Sequence, residues 1–286
     1  MAFCFFASDL HGHADRYDKL WESIKEAPPE AVFLGGDLLP SGFGLASLDP
    51  AHRDFVNDFM APGFERTRTQ LGQRYPKVYL ILGNDDSRFE EAAFLDVATT
   101  GLWTYAHNRN LVLSNYQVFG YSHTPPSPFQ LKDWEKYDVS RYVPPGCVSP
   151  EEGRRTVPCA AHEIKYATIQ KDLEALAGER VLDNAVFLFH GPPYETKLDR
   201  AANDGKMIDY VPFDLHVGSI AIQRFIKARQ PLVTLHGHIH ESARLTGSWR
   251  DQIGKTHLFS AAHDGPELAL VRFDLASPDH ATRQLL

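Results

Sequence analysis

The sequence is poor in cysteine. Its 286 residues hold three, Cys4, Cys147 and Cys159, and no C-x-x-C. So sparse and odd a set excludes a disulfide framework and fits free packing thiols in a reducing, cytoplasmic compartment. No apolar run approaches the roughly 20 residues that a membrane-spanning helix needs. The opening MAFCFFASDLHGH has no basic region ahead of its apolar residues, so it reads as a first strand and not as a signal peptide. Positive charge is not in excess either: 29 Lys and Arg against 37 Asp and Glu give a net charge of −8. That argues against a nucleic-acid polymer or an anionic membrane as partner, since both select a basic face. A phosphate substrate stays open, because bound cations reverse the local charge. The sequence shows no internal repeat and no low-complexity tract. Gly42-Phe43-Gly44 lacks the third glycine of a dinucleotide fingerprint and reads as a loop.

What is present is an ordinary globular composition, 43% apolar and 23% charged, in a length that suits one domain over 1–286. Short apolar runs at 2–8, 31–37, 77–84, 185–191 and 231–238 read as buried strands. Residues 15–27 carry apolar side chains at helical spacing and stop at Pro28-Pro29, and 219–229 is helix-like. Alternation of the two predicts an α/β fold around a largely buried sheet. The segment 122–161 is rich in proline and aromatics, and too long for an ordinary connection. It is expected to be an insertion that caps the site.

Each of the five runs breaks into polar residues: SDLHG, GGD, GNDD, FHG and HGHIH. Ligands of open α/β sheets bind beyond the carboxyl ends of the strands, so five such ends can build one site. Their side chains are Asp9, His11, Asp37, Asn84, His190, His238 and His240. All offer oxygen or imidazole nitrogen and none a thiolate, which suits Mn, Fe, Zn or Co. Seven groups exceed the needs of one ion and suit two ions sharing a carboxylate. Asp9 and His11, two apart, point to one face if that segment is extended. His238 and His240 can splay onto neighbouring ions.

The ordered set Asp9-Leu10-His11, Gly36-Asp37, Gly83-Asn84-Asp85-Asp86, His190 and Gly237-His238-Ile239-His240 resembles the calcineurin-like metallophosphoesterases. The resemblance spans residues 8 to about 241. It implies a four-layer α/β/β/α sandwich with two divalent metal ions between the sheets. It also implies hydrolysis of a small phosphate ester by in-line attack of a bridging hydroxide. By the same resemblance Asp9, His11 and His240 hold one ion, Asn84, His190 and His238 hold the other, and Asp37 bridges them.

One position departs from the pattern. Many members carry histidine where this chain has Asp85, and that histidine can protonate the leaving oxygen. A carboxylate is a poor proton donor at neutral pH, and it repels a dianionic monoester more than a monoanionic diester. The expected activity is therefore a phosphodiesterase. The alternatives are a phosphomonoesterase or protein phosphatase, or a non-catalytic metal-binding scaffold. His123, at the start of the insertion, is the candidate replacement. Partly protonated at neutral pH, it would donate to the leaving oxygen or clamp the phosphate. Asp86 is expected to support the site from behind, and His236 to be a packed strand residue. His13, His52, His107, His216, His257, His263 and His280 receive no role. The stretch DWEKYD (133–138) is read as cleft lining or as a solvated cap surface.

Overall fold

The computed structural model describes residues 2–40, 54–205, 207–208 and 210–286. Gly42-Phe43-Gly44 and His52 lie outside them. Along the chain come β1 (Phe3–Ala7), α1 (Ala14–Glu26) and β2 (Ala31–Gly35). A π-helical stretch, Phe55–Met60, leads into α2 (Ala61–Leu71). Then follow β3 (Lys77–Ile81), α3 (Glu91–Ala98), β4 (Thr104–Tyr105), β5 (Arg109–Leu113) and β6 (Tyr116–Tyr121). After the insertion come α4 (Ala161–Tyr166), α5 (Ile169–Ala177) and β7 (Ala185–Phe189). A small hairpin pairs β8 (Met207–Ile208) with β9 (Val211–Pro212) ahead of α6 (Ile220–Arg229). The chain closes with β10 (Val233–His236), α7 (Ser242–Thr246), β11 (Arg250–Ile253), β12 (Thr256–Ser260), β13 (Ala269–Asp274) and β14 (Thr282–Leu285).

Two six-stranded sheets result, ordered β14-β13-β1-β2-β3-β4 and β11-β12-β10-β7-β6-β5. In the first, β1 to β4 run parallel and β13 and β14 antiparallel. In the second, β6, β7, β10 and β12 run parallel, with antiparallel β5 and β11 at the edges. The last 40 or so residues thus finish both sheets.

Alternation along the strands shows how the layers stack. On β2, Ala31 and Phe33 face the second sheet, where they meet Val186 and Leu188 of β7. Val32 and Leu34 face the other way, onto Leu20, Trp21 and Ile24 of α1 and Phe64 of α2. On β7, Ala185, Phe187 and Phe189 turn outward onto Ile169 and Leu173 of α5 and Ile222 and Phe225 of α6. Strands buried on both faces need apolar residues throughout, hence the unbroken runs in the sequence. The order is helix, sheet, sheet, helix, as the resemblance implies.

The observed strands stop short of the runs read from sequence: β2 at Gly35 and not 37, β3 at Ile81 and not 84, β7 at Phe189 and not 191, and β10 at His236 and not 238. Every polar tail lies in a turn.

The stretch 122–160 has no helix and no multi-residue strand, only isolated bridges such as Thr124 with Glu135 and Leu131 with Arg154. It is nevertheless packed. Trp134 is fully buried and joins the core outside the first sheet. Lys132 and Glu135 form an ion pair with no exposed side-chain surface. Ser127 satisfies that pair by donating its N–H and hydroxyl to Glu135 and accepting from Lys132 through its carbonyl. A buried pair with its remaining valences filled is tolerable, whereas a half-filled one is costly. Asp138 accepts the N–H of Ile220 at 2.7 Å and the hydroxyl of Ser219 at 2.5 Å, putting negative charge on the α6 N-terminus. The DWEKYD stretch is therefore anchored and largely buried, and does not form a solvated surface.

Candidate metal centre

Because β1 to β3 are parallel, and β7 and β10 likewise, their carboxyl ends gather along one rim of the sandwich. The turns there are sharp. Asp9, His11, Asp37 and His238 have φ of 58°, 46°, 52° and 74°, four of the nine non-glycine residues with positive φ among those described. Left-handed backbone costs such residues about 1–3 kcal/mol each and persists where the surroundings over-determine it. Asp9 and His11 therefore converge through a turn, and the extended segment expected from sequence is not formed. Two glycines are needed for closeness: a Cβ on Gly83 would lie 2.2 Å from Asp37 Oδ1, and one on Gly237 2.5 Å from Asp9 Oδ2.

Asp37 stands at the centre. Its Oδ2 lies 3.3 Å from His190 Nε2 and 3.8 Å from His11 Nε2. His190 Nε2 is 2.9 Å from Asn84 Oδ1. On the other side, His240 Nε2 is 3.3 Å from Asp9 Oδ1 and 3.2 Å from His11 Nε2. Asp9 Oδ1 also accepts the His238 N–H at 3.0 Å. Two groups of potential ligand atoms, each within 4.8 Å of one another, emerge: Asp9, His11, Asp37 and His240, and Asp37, His190 and His238. Asp37 belongs to both. The structure thus brings all seven predicted ligands to one rim.

Hydrogen bonds behind the rings fix which nitrogen faces inward. His190 Nδ1 donates to the Gly35 carbonyl at 2.8 Å, so Nε2 is the nitrogen turned inward and carries the lone pair when the ring is neutral. His11 Nδ1 faces Asp85 Oδ2 at 3.3 Å, a carboxylate–imidazole arrangement of the kind that orients metal-bound histidines. Asp85 also donates its backbone N–H to Asp37 Oδ1 at 2.8 Å. Asp9 Oδ2 is buried with no partner. An orphaned carboxylate oxygen beside converging imidazole nitrogens fits a divalent cation.

The electrostatics agree. Burial alone would raise the Asp9 carboxyl, but the hydrogen bond from His240 and the charges of His240 and His190 outweigh it and bring it to about 2. Asp37 falls well below the usual carboxylate range, again against burial, under the charge of His190. Burial opposes protonation of His11, yet the Asp85 hydrogen bond and the charge of Asp37 raise it to about 9. His190 rises to about 9 because the Asp37 charge overcomes burial. Burial, aided by His190, pushes His238 down to about 3. Asp9, Asp37 and Asp85 thus favour protons on His11, His190 and His240, where cations would balance the same charge.

Supports come from several elements. Asp86, fully buried, accepts the N–H groups of Leu38, Leu39 and Gly83 at 2.8–3.1 Å, tying the Asp37 and Asn84 turns together. Burial and the Asp37 charge push its carboxyl up to about 7. Arg16 of α1 donates to the Asp9 and Gly265 carbonyls, each at 2.6 Å. No motif marks Arg16; its helical position hides it. From the insertion, Asp133 accepts the Arg88 N–H at 2.9 Å and so anchors the end of the Asn84 turn. His236 is packed as expected, stacked on Phe189 and bonded to Gly191 and Thr234.

His123 lies one strand to the side, its ring 5.1–5.5 Å from those of His107, Tyr121 and Trp134. Burial first, then the charges of Lys136 and other cations, push it well below its ordinary pKa. It is neutral at pH 7, where the sequence had it partly protonated, because the insertion buries it.

Comparison with known proteins agrees with this geometry. The family described as calcineurin-like phosphoesterase matches residues 5–242, and the chain belongs to it. Among solved structures, a Thermus thermophilus protein is similar with a TM-score of 0.55 and 15% identity, over 99% of this chain and 98% of that one. A dimetal phosphatase from Danio rerio is similar with a TM-score of 0.52 and 12% identity, over 94% and 91%. No curated protein matches. Among the described residues, no helix is long and apolar enough to cross a membrane.

Proposed function

We propose that this member of the calcineurin-like phosphoesterases is a two-metal hydrolase of small phosphodiesters. The observation that carries the reading is Asp37, shared between two groups of ligand atoms. Asp9, His11 and His240 would hold one cation and Asn84, His190 and His238 the other, with Asp37 between; Mn, Fe, Zn and Co all suit these donors. Bound cations would activate water for attack on phosphorus and neutralise charge on the phosphate oxygens.

The protein's own groups set the preference for a diester. The Asp85 side chain is 39% exposed. One of its oxygens is engaged with His11, and the carboxylate adds negative charge at the rim. That charge disfavours a dianionic monoester, and no proton is offered to its leaving oxygen. Neutral, buried His123 is better suited to holding part of the substrate than to protonating it.

With Mn added, bis(p-nitrophenyl) phosphate should show a higher kcat/KM than p-nitrophenyl phosphate, and Asp85→His should narrow the gap. A wild type that prefers the monoester at neutral pH defeats the diester reading. For His123→Ala, a similar loss on nitrophenyl and alkyl esters would indicate binding. A loss confined to alkyl esters would restore the proton-donor role.

A further inference from the structure

The row of strand ends does not stop at the metal ligands. In the first sheet β4 lies beside β3, and in the second β6 lies beside β7. Asn84 and His190 follow β3 and β7. His107 follows β4, and Ser122, His123 and Thr124 follow β6. Next to the metal centre there is thus a second polar group at the same rim. Ser122 donates its N–H to His107 Nδ1 at 3.0 Å. The rings of His107, His123 and Trp134 lie 5.0–5.5 Å apart. Thr124 is bonded through its backbone to Trp134 and lies against Gly191, the neighbour of His190.

This group is incomplete. Ser122 Oγ, His123 Nδ1, Thr124 Oγ1 and Trp134 Nε1 are all buried with no hydrogen-bond partner. They make up half of the eight such side-chain atoms among the described residues. An unsatisfied buried polar group is costly, and four on residues that adjoin one another call for a partner.

Resting on the phosphoester reading above, we propose that this flank is the subsite for the alcohol part of the substrate. It would hold an uncharged group that both donates and accepts hydrogen bonds, a hydroxyl or an amide-like edge. The donors and acceptors on offer are hydroxyls, neutral imidazoles and an indole N–H. Of the cations nearby, Arg88 is paired with Glu91 and Lys136 with Asp172, while Arg155 donates to the Pro150 carbonyl. Arg88 also covers the Trp134 ring at 5.4 Å. Such surroundings disfavour a cationic headgroup and leave a plain alkyl group unable to fill the vacant valences. A polyol and a nucleoside both carry the required chemistry.

The test uses four p-nitrophenyl phosphodiesters with one leaving group and a second arm of methyl, glyceryl, thymidine-5′ or choline. On metal-loaded protein, the glyceryl or the thymidine ester should exceed the methyl ester in kcat/KM by about tenfold, and the choline ester should not. Whichever of the two gains more identifies the source. Thr124→Val and Ser122→Ala should each shrink the ratio several-fold. Thr124→Val should also leave the ligand-free melting temperature unchanged or raise it, because the hydroxyl it removes has no partner. Equal kcat/KM on all four esters overturns the proposal, and so does a clear fall in melting temperature. If no diester is hydrolysed, the phosphodiesterase reading fails separately. The subsite is then judged by calorimetry with glycerol 3-phosphate and thymidine 5′-monophosphate against methyl phosphate. Tighter binding of the polar ligands that Thr124→Val weakens keeps it; equal affinity removes it.

Discussion

Two polar clusters share one rim of this sandwich, and they are opposite in kind. Around Asp37 every group but the Asn84 amide is charged or chargeable, and opposite signs hold one another in place. Around His107 and His123 the groups are neutral, and several have no partner at all. In the first cluster one buried side-chain atom, Asp9 Oδ2, lacks a partner, and the other buried ones are paired by charge or hydrogen bond. The second waits for hydrogen bonds from outside. The difference separates two tasks in one site: charge for the reacting phosphate, neutral polarity for what the phosphate carries.

The comparison can be broken most forcefully at its charged centre. Asp37→Asn removes the charge common to both ligand groups. It should lower kcat/KM by about 10³-fold or more and deplete both metals together in elemental analysis. Loss of one metal with the other retained would show that Asp37 is not shared. Chelation comes next. Removing metal should abolish hydrolysis and lower the melting temperature by about 5–10 °C for each site normally held at a hundredfold over its dissociation constant. An unchanged melting curve would mean that the charged cluster is complete without cations. Asp86→Asn should be milder. The amide keeps one acceptor oxygen for three N–H groups, and metal affinity should fall about 10–100-fold in a competition titration.

The smallest effect sharpens the neutral side. Burial, then Lys136 and Arg88, push His107 down to about 3. Its folded pKa lies below the unfolded value near ~6.5, so above that pH it contributes nothing to the pH dependence. As pH falls from about 6.5 towards about 3, the unfolded chain takes up a proton that the folded chain refuses, and stability is lost. His107→Gln keeps an acceptor for the Ser122 N–H and should spare about 1–2 kcal/mol of that loss at pH 5 in denaturant unfolding. A mutant as acid-sensitive as wild type would place a charge on His107 and erase the contrast.

Much of the charged cluster was legible in the sequence. Asp9-x-His11 and His238-x-His240 stand out because the residue types are dictated by metal chemistry and sit where apolar runs end. Runs apolar on both faces, as in β2 and β7, predicted an α/β fold around a buried sheet, whereas the four-layer order came from the family resemblance that the motifs carry. What stayed hidden is non-local or conformational. Left-handed backbone at Asp9 and His11 leaves no mark in residue type. The pairing of Asp85 with His11 joins residues 74 positions apart, and Asp133 beneath the Asn84 turn joins two loops. His107 looked like any loop histidine because β4, the strand that carries it to the rim, is two residues long. Partnerless hydroxyls have no sequence signal, since Ser122 and Thr124 are polar whether or not anything binds them.

The division of ligands between the sheets also sets a timetable. Asp9, Asp37 and Asn84 follow strands of the first sheet, while His190, His238 and His240 follow strands of the second. During synthesis the first three leave the ribosome long before the rest. A chain paused after Asn84 has one sheet rim and, of the candidate ligands, a single imidazole, His11. Neither group of candidate ligands is complete until the second sheet has emerged and met the first. On the two-metal reading proposed above, metal loading would come late in maturation, and an ion captured there would latch two halves made at different times.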